Sequence, residues 1–407
     1  MATERSLSLS IRLTQVMPLW RLAFRPLFLF GVLFSLLAML AWGGFWHGTL
    51  LIEPVGGMLW WHQHEMLFGF VAAIVSGFLL TAVQNWTGQP SIKGWPLLGL
   101  VAVWLVGRLL LAFPDALGSP APWLIALVDL AFLPLVALVM ARLVIRVKQW
   151  RNLIFLPVLS LLVIANALMH WGLNRADGEL VRQGAYLAVL LFGMLMVILG
   201  GRVIPFFTSL RLKRQKPAPL PALERLAISS VAALIGIELL AVVGLALPGV
   251  VVAVVALTAG VANFWRLARW EGWRTWGEPL LWGLHGSYGF VALGFILFGF
   301  AALGLLPASL GIHALTVGGM GTMILAMISR VSLGHTGRPI ETLPGIGLAL
   351  GLMLAAAVSR ALIPALLPQV THWMLSLSIL LWCLAYAVFV MLYTKPLLTA
   401  RVDGKDG

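Results

Sequence analysis

Residues 59–83 read LWWHQHEMLFGFVAAIVSGFLLTAV, and this stretch decides the class of fold. It is longer than the roughly 20 residues that an α-helix needs to cross about 30 Å of hydrocarbon. Its only charged residue is Glu65, which stands beside the two histidines His62 and His64. Ionisable groups are costly inside a membrane and are usually functional there. The stretch therefore predicts a transmembrane helix that carries chemistry near its beginning.

The rest of the chain has the same character. Its 407 residues are 61% hydrophobic and 10% charged, with a mean hydropathy of +1.00, whereas soluble proteins carry about 25% charged residues. Apolar segments of spanning length predict an all-α polytopic membrane protein with twelve transmembrane helices, at residues 26–45, 59–83, 95–113, 121–147, 153–172, 185–207, 226–245, 248–264, 280–303, 311–328, 347–366 and 374–392. We expect one membrane domain over 20–396, between cytoplasmic tails at 1–19 and 397–407.

The net charge of +13 follows from topology. With the N-terminus in the cytoplasm, 21 of the 27 lysines and arginines fall on inner segments and only Arg175 and Arg182 on outer loops. This asymmetry is the positive-inside pattern. It predicts a multi-pass protein with both termini in the cytoplasm and the lipid bilayer as partner, and nucleic acid is not needed to explain the charge. The single cysteine, Cys383, excludes a disulfide framework and a cysteine-ligated metal site.

Internal repetition indicates how the spans are grouped. A shift of 249 residues lays span 2 on span 10, so that His64 falls on His313, and within three residues it also lays Arg108 on Arg360. The other identities of this shift pair Gly69, Thr87, Gly88 and Pro90 with Gly318, Thr336, Gly337 and Pro339. Span 6 supplies a weaker third copy near Arg202. We therefore favour three pseudo-repeats of four helices, a haem–copper-oxidase-like arrangement, over two repeats of six.

The histidines are the main candidates for cofactor binding. Six of the eight lie on the predicted outer side, namely His47, His62, His64, His170, His313 and His372; the other two are His285 and His335. Imidazole is a common ligand of copper and iron. For His372 an interfacial histidine is the better reading, and for His47 the two readings balance. The shared depth of His62, His64, His170 and His313 favours a cofactor role.

Helix geometry separates the members of the His62-x-His64 pair. Residues two apart lie about 200° apart around a helix, so the two imidazoles are expected to serve different sites. His62 shares its face with Glu65 and Met66, which suits copper. We expect His170 to be its partner and His47 a third candidate ligand. The alternative is that Met66 only fills space and Glu65 only orients a neighbour.

The matching positions of His64 and His313 suit one haem held between two helices, with His170 and His285 as the next candidates. No Cys-x-x-Cys-His is present, so the haem would be non-covalent and b-type. Arg108 either neutralises Asp129 or, with Arg360, meets the haem propionates. Both alternatives stay open. Two further cofactor-binding candidates are Arg202 and Arg330, and an anchoring role at the inner interface explains Arg202 equally well.

Several of these stretches together resemble the NnrS family. They are HQHEMLFG at 62–69, NALMH at 166–170, GGRVIP at 200–205, LH at 284–285, HALT at 313–316 and RVSLGHTGR at 330–338. The resemblance implies a bacterial inner-membrane protein of nitric oxide tolerance, associated with denitrification, that contains haem and copper. His47 and His372 lie outside these motifs. Span 7 lacks the adjacent histidines that hold copper in haem–copper oxidases, so that active site does not carry over.

The function expected from the resemblance is redox turnover, scavenging or sensing of nitric oxide or a related small nitrogen oxide. An oxidoreductase of this kind would take electrons from a membrane quinol or a periplasmic donor. The alternative is a twelve-span secondary transporter whose intramembrane charges form a substrate or proton path. The four-span repeat favours the first hypothesis.

Overall fold

The computed structural model describes residues 17–50, 52–405 and 407, and over these residues it is helical with no strand. Twelve helices are long and apolar enough to cross a membrane, which confirms the predicted number of spans. We number them α1 Phe24–Trp46, α2 Gly57–Thr87, α3 Trp95–Ala112, α4 Pro122–Arg146, α5 Phe155–Asn174, α6 Gly178–Leu212, α7 Pro221–Val242, α8 Gly249–Ala268, α9 Pro279–Ala302, α10 Ala308–His335, α11 Ile346–Leu366 and α12 Pro368–Leu398.

Several helices extend beyond the apolar segments that predicted them, because polar residues continue a helix past the hydrocarbon. The clearest case is α6, which runs over Gly178–Leu212 where the hydropathy marks only 185–207. Glycines set the ends of α2: Gly56 before it has a φ of 74° and Gly88 after it a φ of 65°, values that glycine adopts without steric cost. Residues 1–16 of the predicted N-terminal tail lie outside the described residues, and the cytoplasmic location of both termini stays a prediction.

Three spans contain a π-helical segment, in which the chain is wound more widely than in an α-helix. They are Glu65–Val71 in α2, Ala314–Gly321 in α10 and Val358–Leu362 in α11. The first two begin directly after His64 and His313, the residues that the 249-residue shift superimposes. Such segments are rare and often mark functional sites. The shared irregularity supports the equivalence of spans 2 and 10, whereas the grouping into three sets of four stays a prediction.

The helices form two compact units. Unit 1 holds the chain up to Ala185 together with Val331–Ile340 and Val390–Gly407, and unit 2 holds Tyr186–Arg330 and Glu341–Phe389. Within unit 1, α2 packs against α1 and α4, and α4 also packs against α3 and α5. Within unit 2, α9 packs against α8, α10 and α11. The residues of the candidate site all belong to unit 1.

Candidate metal centre

The site begins with two consecutive residues of α2. His64 and Glu65 have no exposed surface, and Nδ1 of His64 lies 2.9 Å from Oε1 of Glu65. One turn earlier, Trp60 stacks on the imidazole with ring centroids 4.7 Å apart. The indole Nε1 donates to the carbonyl of Met169 on α5, at 3.3 Å. Trp60 therefore fixes the His64 ring between α2 and α5.

Asp129 on α4 supplies the carboxylate at the other side of the imidazole. Its Oδ2 lies 3.1 Å from Nε2 of His64 and 3.0 Å from Nε2 of His170. The same oxygen accepts a hydrogen bond of 2.8 Å from Nδ2 of Asn166. Asn166 and His170 are four residues apart on α5, so both side chains project from one face of the helix. Two imidazoles thus converge on a single carboxylate oxygen.

Arg108 on α3 joins the two carboxylates. Its guanidinium forms an ion pair with Oδ1 of Asp129, and Nη1 lies 3.1 Å from Oε1 of Glu65. All three side chains are at most 4% exposed. Of the two alternatives for Arg108, neutralisation of Asp129 is therefore the contact that the structure contains. Gly69 permits the close approach, because a Cβ there would lie 2.8 Å from Oε2 of Glu65 and 2.9 Å from Nη1 of Arg108.

The cluster has too few hydrogen-bond donors and too little positive charge for its two carboxylates. Both ring nitrogens of His64 face carboxylate oxygens, yet a neutral imidazole can donate through only one nitrogen. With neutral imidazoles, the carboxylates of Glu65 and Asp129 outnumber the one guanidinium, that of Arg108. A buried net charge is costly unless a counter-ion offsets it. The cluster therefore favours an additional cation, either a proton on an imidazole or a carboxylate or a metal ion.

The donor atoms fit a metal ion. His64, Asp129 and His170 each offer one ligand atom, all within 4.8 Å of one another, and all three residues are buried. Donors that share an ion at about 2.0–2.2 Å are separated by roughly 3 Å, which is the spacing of both imidazole nitrogens from the Asp129 oxygen. The group is therefore a candidate His/Asp/His metal site.

The structure changes how the predicted copper ligands are grouped. The imidazole that lies against His170 is that of His64, with ring centroids 5.2 Å apart, and Glu65 also contacts His64. The ring of His62 instead stacks on Trp42 of α1, with centroids 4.4 Å apart. The two rings do face different neighbours, as helix geometry predicted, but the His64 side holds the clustered donors. The contacts therefore bring His170 and Glu65 to His64, whereas a copper role for His62 stays a prediction.

The structure gives the burial of the other two copper candidates. Met66 is half-buried and His47 is exposed at the end of α1.

The predicted haem pair is divided between the two units, with His64 in unit 1 and His313 in unit 2. Nε2 of His64 lies 3.1 Å from Oδ2 of Asp129 and 2.8 Å from Oδ1 of Asn166, and a haem role for His64 stays a prediction. His313 is half-buried and its Nδ1 lies 2.6 Å from the carbonyl of Ser309. Buried His285 has the same arrangement, with Nδ1 2.9 Å from the carbonyl of Leu281. A backbone bond at Nδ1 is the usual way to orient Nε2 of a metal-binding histidine.

The remaining predicted arginines all belong to unit 2. Arg202 in α6 is half-buried. Arg330 in α10 lies over the ring of Phe207, 3.9 Å from its centroid. Arg360 lies within the π segment of α11 and is half-buried. A role toward haem propionates stays a prediction for these three residues.

Asn166 is the site residue that sequence reasoning missed. Its Oδ1 lies 2.8 Å from Nε2 of His64, and its amide nitrogen donates to Asp129. The signal was present in the NALMH stretch, because Asn166 stands one helical turn before His170. For Asp129 the sequence predicts only the contact with Arg108. The link that joins these residues is tertiary, since they come from four different spans.

No curated protein matches the chain. The family profile described as NnrS protein matches residues 18–401, which is most of the chain and includes every residue of the candidate site. The match supports a nitric-oxide-related membrane protein. The chain therefore belongs to the NnrS family.

Proposed function

We propose that the protein holds a copper ion between His64, Asp129 and His170 and acts on nitric oxide in a bacterial inner membrane. The observation that carries the proposal is the convergence of two imidazoles and one carboxylate in a buried cluster whose two carboxylates face a single guanidinium. Imidazole nitrogen suits copper, iron and zinc, whereas magnesium and calcium prefer oxygen alone. Since the donor set contains no thiolate, it suits Cu(II) better than Cu(I).

The neighbouring side chains prepare this site for a cation. Glu65 accepts the Nδ1 proton of His64, which leaves Nε2 as the donor that faces the ion. Asn166 and Arg108 each hold one oxygen of Asp129, so the carboxylate keeps its orientation. Copper bound there would supply one-electron chemistry, with electrons from a membrane quinol or a periplasmic donor.

Burial within apolar helices favours nitric oxide over charged nitrogen oxides as the substrate. The His64 ring lies against Trp60 and Phe68, with centroids 4.7 Å and 5.3 Å away. Nitric oxide is small and uncharged, so it can reach such a site through hydrocarbon. An anion such as nitrite would have to lose its hydration in an apolar surrounding, which is costly.

The haem part of the proposal comes from the resemblance to the NnrS family. His313 and His285 are the axial candidates, because each has its Nδ1 at a backbone carbonyl. An optical spectrum of purified His313→Ala and His285→Ala proteins tests this part separately from copper.

Metal analysis of single variants tests the copper site. The wild-type protein is expected to purify with copper and to show nitrogen hyperfine structure from two imidazoles in the Cu(II) electron paramagnetic resonance spectrum. His64→Ala and His170→Ala should lose the copper and its signal. His62→Ala is the matched control, since it removes an imidazole two residues away whose ring packs on Trp42, and it should keep both.

Three results would contradict the proposal. Copper that survives in His64→Ala but not in His62→Ala would move the site to the other face of α2. Iron or zinc in place of copper would leave a metal site and refute its assignment to copper. A metal-free, colourless protein that exchanges a substrate across vesicles would favour the transporter hypothesis.

A further inference from the structure

A second polar site lies in unit 2, where α6 ends and α7 begins. A cavity of about 50 Å³ opens there between Gly201 and Pro205 of α6, the loop 216–219 and the end of α8. Gly201 and Pro205 belong to the GGRVIP stretch, which the metal centre does not use. The charged side chains on its walls are Lys216, Glu224, Arg266 and Arg269.

Arg266 and Glu224 neutralise each other and form the floor of this cavity. The guanidinium binds the carboxylate through two nitrogens, at 3.1 Å and 2.7 Å. Its third nitrogen donates to Oη of Tyr288, at 2.6 Å, and to the carbonyl of Val197, at 3.2 Å. Gly201 makes room for this pair, because a Cβ at that position would overlap the guanidinium. The pair is therefore satisfied and contributes no net charge.

Two cations on the wall remain without a counter-ion. Among the described residues, Lys216 has neither a hydrogen bond nor an ion pair, and Arg269 has one hydrogen bond, from Nη2 to the carbonyl of Ala218 at 2.8 Å. Since Glu224 is already bound by Arg266, these two side chains leave the cavity with two net positive charges. Such a cavity is complementary to an anionic group with several acceptor oxygens.

The tryptophans around the cavity indicate its depth. Trp265, Trp273 and Trp276 are 58%, 59% and 79% exposed, and they flank Trp270, which lines the cavity. Exposed tryptophans concentrate where the membrane meets water. The basic residues near these tryptophans, such as Arg269 and Arg274, assign this end of the helices to the cytoplasm by the positive-inside pattern. The cavity is therefore expected at the level of the lipid phosphates.

We propose that this cavity binds the phosphate of an anionic phospholipid of the inner leaflet, with Lys216 and Arg269 as the residues that contact it. Basic pockets between transmembrane helices on the cytoplasmic side are suited to such headgroups. The guanidinium of Arg269 can offer two parallel donors to one phosphate. Arg266 and Glu224 keep the floor in place, and the indole of Trp270 covers one wall. This site is independent of the copper proposal.

Lipid binding to the full-length protein tests the proposal. The protein is reconstituted in nanodiscs of phosphatidylcholine with increasing phosphatidylglycerol, and retained lipid is counted by native mass spectrometry after detergent extraction. The wild type should retain phosphatidylglycerol over phosphatidylcholine. In the double variant Lys216→Gln with Arg269→Gln, the ratio of retained phosphatidylglycerol to phosphatidylcholine should fall at least tenfold. The matched control is Lys213→Gln with Arg225→Gln, which removes the same charge from exposed residues outside the cavity.

The outcomes separate the sources of the phosphate group. A preference that falls only in the cavity variant, with no retention of inorganic phosphate, supports the lipid site. If the wild type binds inorganic phosphate tightly and the cavity variant does not, the cavity is a site for free phosphate. That result would refute the phospholipid as its ligand. An equal loss in both double variants would mean that only surface charge attracts the lipid, and it would overturn the proposal. Thermal unfolding in detergent shows that each variant is folded.

Discussion

Replacement of Arg108 by glutamine is the sharpest test of the charge balance at the candidate metal centre. Among the described residues, the guanidinium is the only fixed positive charge that contacts the carboxylates of Glu65 and Asp129. Glutamine keeps part of the side-chain volume and the ability to donate a hydrogen bond, but not the charge. With neutral imidazoles, the cluster would then hold two uncompensated negative charges in an almost fully buried site.

The size of the effect follows from the burial. Removal of one partner from a buried ion pair costs about 3–5 kcal/mol, which is a change of about a hundredfold to several thousandfold in the unfolding equilibrium. A divalent ion at His64 and Asp129 would offset the excess negative charge. At about 100 times its dissociation constant, a ligand stabilises the folded state by about 2.7 kcal/mol. Copper is therefore expected to restore much of the stability that the substitution removes.

The assay is thermal unfolding of the purified protein in detergent, with a copper chelator and with added copper. Arg108→Gln should melt well below the wild type in chelator, and copper should raise its melting temperature more than that of the wild type. Arg360→Gln is the matched control, because among the described residues this intramembrane arginine has no ion pair or hydrogen bond. If both arginine variants lose the same stability, or if copper stabilises Arg108→Gln no more than the wild type, the charge argument is wrong.

Two further predictions follow from the same contacts and from the end of the chain. Gly69→Ala places a methyl group 2.8 Å from Oε2 of Glu65. It should weaken copper binding by about 10–100-fold, which is the usual cost of disturbing a residue that supports a metal ligand. The control Gly351→Ala, which has open space around its Cβ, should leave the copper affinity unchanged. The Arg401 side chain lowers the pKa of Asp403 from 3.8 to about 2, so this ion pair stabilises the C-terminal segment above about pH 4 and is lost as the pH falls through 2. A fluorescent probe in that segment should become mobile only below about pH 3, and mobility that rises near pH 5 would contradict the shifted pKa.

The number and class of the elements could be predicted from the sequence because they depend on local composition. A run of about 20 apolar residues must be a helix inside a membrane, since every backbone polar group needs a partner within its own segment. All twelve predicted spans are helices in the structure. That the rings of His62 and His64 contact different neighbours agrees with the helix geometry, because both residues lie on one helix before the π segment begins.

The composition of the metal centre depended on the tertiary structure. His64, Arg108, Asp129 and His170 come from four spans, and no spacing along the chain tells which faces of α2, α3, α4 and α5 meet. Hydropathy marks how deep a residue lies and says nothing about how its helix is rotated. The π segment after His64 is set by packing in the same way. The sequence by itself determined a helical membrane protein of twelve spans and predicted histidines at one depth, and only the packed helices decided which of those histidines share a carboxylate.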